Sequence, residues 1–270
     1  MQKYTEKEIE ILKEGGKRLA NILEFLGKNC VEGMVARELD VLAEKMILEN
    51  GDIPVFKNYK PHGASYPFPA TLCVSINDTV AHGIPKNEIL KNGDVVSLDL
   101  GLRHNGLVVD SAISLVVGAR EAHTQFLPEI KLLEVTKKCL EIGIAQCVVG
   151  KRVNDVGIAI EQFLKEENQK EENVENNLQF SVVDILCGHA VGREIHSEPI
   201  IPHADFGPGG EKFKEGMVVA IEPHISLGNG QISLSKKDAW AYIADDGAKA
   251  AQFEHTILIT NEKPDILTKI

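Results

Sequence analysis

The sequence predicts an α+β fold in which two similar αβ halves form one domain. The first observation is a phrase that occurs twice. KNGDVVSLD at residues 91–99 and KEGMVVAIE at residues 214–222 share Lys, Gly, two Val, an aliphatic residue and a closing carboxylate in register. The second is the order of helix, Cys-Val-x-Gly turn, helix and strand before each copy, with the turns at residues 30–33 and 147–150. Because the parallel spans most of the chain, we predict one domain over residues 1–270, with halves of about 1–118 and 119–270.

Composition excludes several classes of protein. The formal net charge of −11 argues against a general surface for polyanions, so no direct DNA binding is expected. The five cysteines are odd in number and none forms a Cys-x-x-Cys pair, which predicts reduced thiols rather than a disulfide framework. The N-terminus lacks an apolar core and no apolar stretch reaches membrane length, so we expect neither a signal peptide nor a membrane span. The cytoplasm is the expected location.

The first half begins with two predicted helices. Thr5–Glu8 has the form of a capping box, and leucines at helical spacing extend the first helix to about Lys28. The second helix is expected to end before Gly51. Residues 52–70 contain four prolines and are predicted to form a loop, and residues 71–76 are predicted to form a strand.

The first copy of the phrase predicts a strand that ends at Asp99. A turn at Asn105-Gly106 then leads into a second strand that carries Asp110. Paired strands joined at this turn would bring Asp99 and Asp110 close together.

The second half repeats this order. One helix begins at Pro128 and another covers residues 153–164, and the polar tract 165–173 is predicted to be a solvated helix end or a surface loop. Glu222 then closes the second copy of the phrase, and Glu254 starts a further strand.

Each half thus offers two carboxylates on strands, and the expected place for a site is where the halves meet. Asp99 and Asp110 come from the first half, and Glu222 and Glu254 from the second. Four acids at one interface would repel one another unless divalent cations neutralised them. Together with one imidazole, such a set suits a pair of Mn, Fe, Co or Zn ions.

The chain resembles the type I methionine aminopeptidases, which have the pita-bread fold of two pseudo-symmetric halves with a curved antiparallel sheet flanked by helices. The resemblance covers nearly the whole chain in family order. The motifs that carry it are Asn77-Asp78, His82-Gly83-Ile84-Pro85, Leu98-Asp99, Asp110-Ser111-Ala112, Cys187-Gly188-His189, His196-x-x-Pro199, Ile221-Glu222-Pro223 and Gln252-Phe253-Glu254-His255-Thr256.

This resemblance implies a dinuclear metallo-exopeptidase that removes the initiator methionine from nascent polypeptides. Asp110 and Glu254 would bridge two divalent ions, Asp99 would chelate one, and His189 and Glu222 would complete the other. A metal-bridging hydroxide would attack the first peptide bond.

The resemblance also implies roles for residues that contact the substrate. His196 would polarise the carbonyl, His82 would assist the leaving nitrogen, and Glu222 would shuttle a proton. The matching positions of the apolar side-chain pocket are Tyr66, Phe68, Cys73, Ile195 and Trp240. Three departures leave the shape of this pocket open, because Ala190-Val191 replaces the usual Gly-Ile, Val109 replaces a smaller residue and Ile195 replaces Phe.

Two alternatives remain open from the sequence. One is a proline-directed peptidase of the same fold, and the other is a non-catalytic pita-bread module that recognises nascent chains or ribosomes. The expected partners of the leading hypothesis are nascent N-termini, with contact to the ribosome left open, and the expected state is a monomer without membrane contact.

Overall fold

The structure, a computed structural model, describes residues 4–119 and 123–269 and combines long helices with antiparallel strands. The helices are α1 Glu6–Asn29, α2 Ala36–Glu49, α3 Leu127–Gln146, α4 Asn154–Asn168 and α5 Glu171–Glu175, with a 3₁₀ helix at His123–Phe126. The strands are β1 Ile53–Pro54, β2 Leu72–Ile76, β3 Thr79–Ala81, β4 Val95–His104, β5 Leu107–Val116, β6 Ser181–Val182, β7 Cys187–Ala190, β8 Ser197–Pro202, β9 Val218–Ile221, β10 His224–Ser226, β11 Ile232–Leu234, β12 Tyr242–Ala244, β13 Ala250–Gln252, β14 Glu254–Leu258 and β15 Asp265–Ile266.

Nine strands of the described ranges form one antiparallel sheet that runs through both halves of the chain. Its path is β1-β4-β5-β14-β9-β7-β8, with β2 paired to β4 and β15 paired to β14. Strands β4 and β5 form a hairpin that turns at Asn105-Gly106, as predicted. Strand β5 pairs with β14, and this pairing joins the first half to the second. The predicted α+β class with an antiparallel sheet is confirmed.

Specific residues fix where the first helix begins and how closely it packs. The Thr5 hydroxyl accepts from the Glu8 backbone N–H at 3.3 Å and the Glu8 carboxylate accepts from the Thr5 N–H at 2.8 Å, so the predicted capping box is confirmed. Gly16 lies in the helix interior, where glycine costs about 1 kcal/mol relative to alanine. A Cβ at Gly16 would lie 2.1 Å from the carbonyl oxygen of Leu267, so only glycine permits this approach.

The two copies of the repeated phrase fold in the same way. Gly93 and Gly216 both have a left-handed φ, of +87° and +82°. The Gly93 N–H donates to the carbonyl of Val117, and the Gly216 N–H donates to the carbonyl of Ile259. Val117 and Ile259 each follow directly after the strand that pairs with the repeated one, so the two turns are equivalent.

The two Cys-Val-x-Gly turns are equivalent as well. The Gly33 N–H donates to the carbonyl of Leu90 at 2.9 Å, and the Gly150 N–H donates to the carbonyl of Phe213 at 3.0 Å. Leu90 and Phe213 each directly precede a copy of the repeated phrase. These matched hydrogen bonds support our proposal that the chain is one domain of two similar halves.

Two hydrophobic clusters hold the helices against the sheet. The first cluster joins α1 and α2 to β2, β4 and β5, with residues such as Leu23 and Leu98 fully buried. The second joins α3 and α4 to β9 and β14, with residues such as Val156 and Ile257 fully buried. None of the helices in the described part of the chain is both long and apolar enough to cross a membrane.

The polar tract at residues 165–173 differs from the prediction. Two of its residues are buried, because Glu167 is 2% exposed and Asn173 is 1% exposed. The Glu167 carboxylate lies 3.2 Å from Nζ of Lys131 and 2.6 Å from Nζ of Lys170. The prediction of a solvated tract is therefore wrong for Glu167 and Asn173. A charged or amide side chain can be buried when it is paired or hydrogen-bonded, even in a tract of sequence that has almost no apolar residues.

Candidate metal centre

The register of the sheet places the carboxylates of β4, β5 and β14 on one face. Asp99 lies opposite Ala112, and Glu254 lies opposite Ala112 on its other side. Residues directly opposite each other in antiparallel strands point to the same face, and so do residues two apart along a strand. Asp110 precedes Ala112 by two residues, so Asp99, Asp110 and Glu254 share this face.

The same argument adds the second half of the site. His189 lies opposite Ala220, and Ala220 lies opposite Thr256. Glu254 precedes Thr256 by two residues and Glu222 follows Ala220 by two residues. All five predicted ligands therefore lie above one face of one continuous sheet.

Distances between side chains agree with this placement. Ligand atoms of Asp110, His189 and Glu254 all lie within 4.8 Å of one another. Nε2 of His189 lies 3.2 Å from Oε1 of Glu222. Asp99 and Glu222 line the same cavity as these three residues. The structure thus brings together the five residues that the sequence predicted as ligands.

Three of these carboxylates have an oxygen that is buried and unsatisfied. Among the described residues, no hydrogen-bond partner reaches Oδ1 of Asp99, Oδ1 of Asp110 or Oε1 of Glu254. A buried carboxylate without a partner is costly unless it becomes neutral or binds a cation. Three such oxygens on one face are the donors that a hard or borderline divalent ion prefers.

The pKa values report the same crowding. Burial and the charge of Glu222 raise the pKa of Asp99 to about 8. Burial and then the neighbouring acids raise the pKa values of Asp110 and Glu254 well above their usual range. Glu222 differs because the hydrogen bond and charge of His189 outweigh its burial and lower its pKa to about 2. The residues present therefore fit divalent ions, which would replace the protons that the crowded acids otherwise hold.

The cavity above this face also contains both predicted catalytic histidines. It has a volume of about 150 Å³. Its lining residues are Phe56, Tyr59, Pro61, Phe68, Cys73, His82, Asp99, Asp110, His189, His196, Glu222, Trp240 and Glu254.

His82 is held at the cavity by an unusual backbone. Its φ is +54°, a left-handed value that few residues other than glycine adopt. The next residue, Gly83, packs so closely that a Cβ there would lie 2.2 Å from the carbonyl oxygen of Val74. The ring of His82 lies 5.8 Å from the ring of Tyr242, and burial lowers the pKa of His82.

His196 also lines this cavity and lies after the turn that follows β7. Its Nδ1 lies 2.9 Å from the hydroxyl of Tyr59, and its ring packs edge-on at 4.5 Å from the ring of His189. Burial, and then the neighbouring His189, lower the pKa of His196 to about 4. His196 is thus a neutral imidazole at neutral pH, able to donate one hydrogen bond.

The predicted side-chain pocket is only partly reproduced. Phe68, Cys73 and Trp240 line the cavity, but Tyr66 and Ile195 lie outside the residues that form its wall. Ile195 is buried instead against strand β4, where a Cβ at Gly101 would lie 3.3 Å from the end of its side chain. The Tyr66 hydroxyl donates instead to the carbonyl of Asp238.

Three lining residues were not predicted from the sequence. Phe56, Tyr59 and Pro61 belong to the proline-containing stretch at residues 52–70, which lacks any periodicity or motif that could have identified them. Cys73 could be placed from the register, because it lies opposite Asp99 and so shares the face of the acids. Burial and the nearby carboxylates raise its pKa well above the usual value.

The remaining histidines have other surroundings. Nδ1 of His104 lies 2.7 Å from Oδ1 of Asp52, which is a structural contact. His203 lies beside the site, because its Nε2 accepts from the backbone N–H of Glu222 at 3.3 Å. His255 points to the opposite face of the sheet, where its Nδ1 lies 2.9 Å from Oγ1 of Thr268.

The chain is similar to proteins of one metallopeptidase family, in sequence and in structure. The sequence model of metallopeptidase family M24 matches residues 10–261. The chain is 38% identical to methionine aminopeptidase 1 of Bacillus subtilis over 268 residues, which cover 98% of each chain. It is similar to the crystal structure of a methionine aminopeptidase from Thermotoga maritima, with a TM-score of 0.87, 32% identity and 100% of both chains covered. A prolidase from Pyrococcus furiosus shares the fold, with a TM-score of 0.69 at 21% identity over 99% of this chain and 65% of that one.

Proposed function

The chain belongs to metallopeptidase family M24, and on that basis we propose that it is a metal-dependent aminopeptidase that removes the initiator methionine from nascent polypeptides. The observation that carries the proposal is the meeting of two carboxylates from each half, with His189, on one face of the sheet. Full-length similarity to methionine aminopeptidases supports the choice of substrate.

Asp99, Asp110, His189, Glu222 and Glu254 are the residues that would hold the metal. Two ions, drawn from Co, Mn, Fe and Zn, match this number of oxygen and nitrogen donors. When bound, the ions would supply Lewis-acid activation of water and of the scissile carbonyl. The buried, unsatisfied oxygens of Asp99, Asp110 and Glu254 support the assignment.

The other residues of the cavity would bind and orient the substrate. An N–H of His196 would donate to the oxygen of the scissile carbonyl, because a neutral imidazole can polarise a carbonyl without adding charge beside the metal. His82, which lines the same cavity, would donate to the nitrogen that leaves. Glu222, which is ionised at neutral pH, would accept a proton from the attacking water and pass it on.

The side chain of the first residue would be held by the apolar part of the cavity. Phe56, Phe68 and Trp240 provide aromatic surface, and Phe68 packs edge-on against Trp240 at 5.2 Å. Cys73 adds a small polarizable wall beside Asp99. An unbranched thioether fills such an irregular apolar space well. These residues therefore favour methionine over a charged or β-branched first residue.

The proposal predicts that protein loaded with Mn(II) or Co(II) releases free methionine from Met-Ala-Ser. His82→Ala and Glu222→Ala should each lower kcat/KM at least a hundredfold, within the range usual for general acid–base groups. His62→Ala is a matched control, because His62 is exposed and belongs to no cluster in the site. Cleavage of Ala-Pro or Ala-Pro-Ala in preference to Met-Ala-Ser would overturn the choice of methionine. Metal-loaded protein that releases no methionine would overturn the proposal as a whole.

We further propose that the protein works in the cytoplasm as a monomer, on nascent chains near the ribosome. The net charge of −11 argues against a general surface for nucleic acid and so gives no support to contact with ribosomal RNA. Sedimentation of the purified protein, and of lysate fractions with and without ribosomes, would test the oligomeric state and the ribosome contact separately. A dimer at micromolar concentration would contradict the proposed monomeric state.

A further inference from the structure

The hydroxyl of Tyr59 is a group in the cavity to which the proposed reaction gives no part. We propose that Tyr59 is a positioning residue for His196: its hydroxyl donates to Nδ1 of His196 and so fixes the tautomer whose Nε2–H faces the substrate carbonyl. The inference rests on the proposed function, because it concerns the group that would contact the scissile carbonyl.

The contact itself is short and well defined. The Tyr59 oxygen lies 2.9 Å from Nδ1 of His196, and the two rings are 5.2 Å apart with an angle of 53° between their planes. Within the described part of the chain, Tyr59 is the only hydrogen-bond partner of the His196 ring. Ring packing against His189 helps to orient the His196 ring, whereas its tautomer depends on this one hydroxyl.

The chemistry of the reaction requires one of the two tautomers. A neutral imidazole carries hydrogen on one nitrogen and a lone pair on the other, and the partner at one nitrogen decides which. A phenol that donates to Nδ1 leaves the hydrogen on Nε2, which can then donate to a carbonyl oxygen. A phenol that accepts from Nδ1 leaves a lone pair on Nε2, which a carbonyl oxygen would repel. Only the first arrangement is productive.

The backbone on both sides of the contact is held in place. The Tyr59 N–H donates to the carbonyl of Phe56 at 2.9 Å, and the Tyr59 carbonyl accepts from the Phe68 N–H at 2.8 Å. On the other side, the Arg103 guanidinium donates to the carbonyl of Arg193 at 3.0 Å, three residues before His196. A positioning group acts only if its own position is fixed, and this condition is met.

The test uses Tyr59→Phe in the metal-loaded protein, because this substitution keeps the ring and removes only the hydroxyl. With Met-Ala-Ser we expect kcat to fall about tenfold, equivalent to ~1.4 kcal/mol, with KM changed less than twofold. In a His196→Gln background the same substitution should cause less than a twofold further loss, because Tyr59 acts through His196. An equal loss in both backgrounds would overturn the proposal.

A second measurement does not depend on activity. In protein loaded with diamagnetic Zn(II), nitrogen NMR of the imidazole should find the hydrogen of His196 on Nε2, and Tyr59→Phe should produce a mixture of tautomers. Tyr66→Phe is the matched control, because it removes a hydroxyl that donates to Asp238 in the same segment and should leave the His196 tautomer unchanged. Hydrogen on Nδ1 of His196 in the unmodified protein would contradict the inference. If the unmodified protein releases no methionine, the proposed function fails, and the tautomer still decides whether Tyr59 donates to His196.

Discussion

Replacing Asp99 with asparagine separates two effects of this buried acid, which are the loss of stability when it ionises and its proposed contribution to metal binding. Burial and Glu222 raise the pKa of Asp99 from its ordinary value of 3.8 to about 8 in the metal-free protein. One pKa unit corresponds to about 1.4 kcal/mol, so ionising Asp99 costs the folded state up to about 6 kcal/mol. Because the folded protein holds this proton more tightly than the unfolded chain does, the free energy of unfolding is highest below pH 4 and falls as the pH rises through 8.

The asparagine variant removes this loss while keeping the size of the side chain. Without metal, we expect Asp99→Asn to be more stable than the unmodified protein by up to about 5 kcal/mol at pH 7.5 but by only about 1 kcal/mol at pH 4.5. Saturating Mn(II) should reverse the order, because a ligand that binds only the folded state stabilises it and the variant has lost one metal ligand.

Urea unfolding in the presence of a chelator, at pH 4.5 and 7.5 and then with Mn(II), measures all three expectations. Asp245→Asn is the control, because Asp245 is an exposed acid outside the cluster and its loss should change stability by less than about 0.5 kcal/mol at either pH. The reasoning is refuted if metal-free Asp99→Asn is no more stable than the unmodified protein at pH 7.5. It is also refuted if Mn(II) stabilises the two proteins equally.

The remaining predictions concern packing and ion pairing away from the metal. Gly16→Ala should destabilise the protein by at least about 2 kcal/mol, because its Cβ would lie 2.1 Å from a backbone oxygen. Gly27→Ala in the same helix is the control, since its Cβ would meet only the ends of the Ile113 and Leu115 side chains. Glu167→Gln should lower the free energy of unfolding by about 2 kcal/mol or more, because it removes the buried charge that pairs with two lysines. Glu171→Gln, at an exposed position, should leave it almost unchanged. Chemical unfolding measures both changes. Titrating Mn(II) into the chelator-treated protein should raise its melting temperature, and Glu254→Gln should abolish most of that rise.

The parts of the fold that the sequence could predict are those fixed by local chemistry. The repeated phrase was recognisable because Gly93 and Gly216 each supply a left-handed turn before a buried strand, and the hydrogen bonds of both turns are the same. The hairpin at Asn105-Gly106 was recognisable from its turn residues. The predicted end of the first repeated strand at Asp99 is wrong, because β4 continues to His104 and Asp99 lies in its interior. The carboxylates on these strands could still be assigned to them, although their convergence depends on a register that no local pattern specifies.

The parts that could not be predicted depend on contacts distant in the sequence. Strands such as β10 and β13 contain only three residues each, too few to show any alternation. Tyr59 reaches the cavity from a proline-containing stretch whose path is set by its hydrogen bonds to Phe56 and Phe68. The burial of Glu167 follows from Lys131, which lies on a different helix. In each case the deciding partner is supplied by tertiary structure.

The pairing of β5 with β14 has a consequence for how the protein acquires activity. Asp99 and Asp110 come from one half of the chain, while His189, Glu222 and Glu254 come from the other, and the pairing of β5 with β14 brings the two sets onto one sheet. Neither half alone holds all five proposed ligands, so we expect cation binding to require that the two halves have docked. If the proposed ligands bind the metal, the free energy of coordination adds to that of docking, and we expect an incompletely folded chain to be both inactive and unable to bind metal.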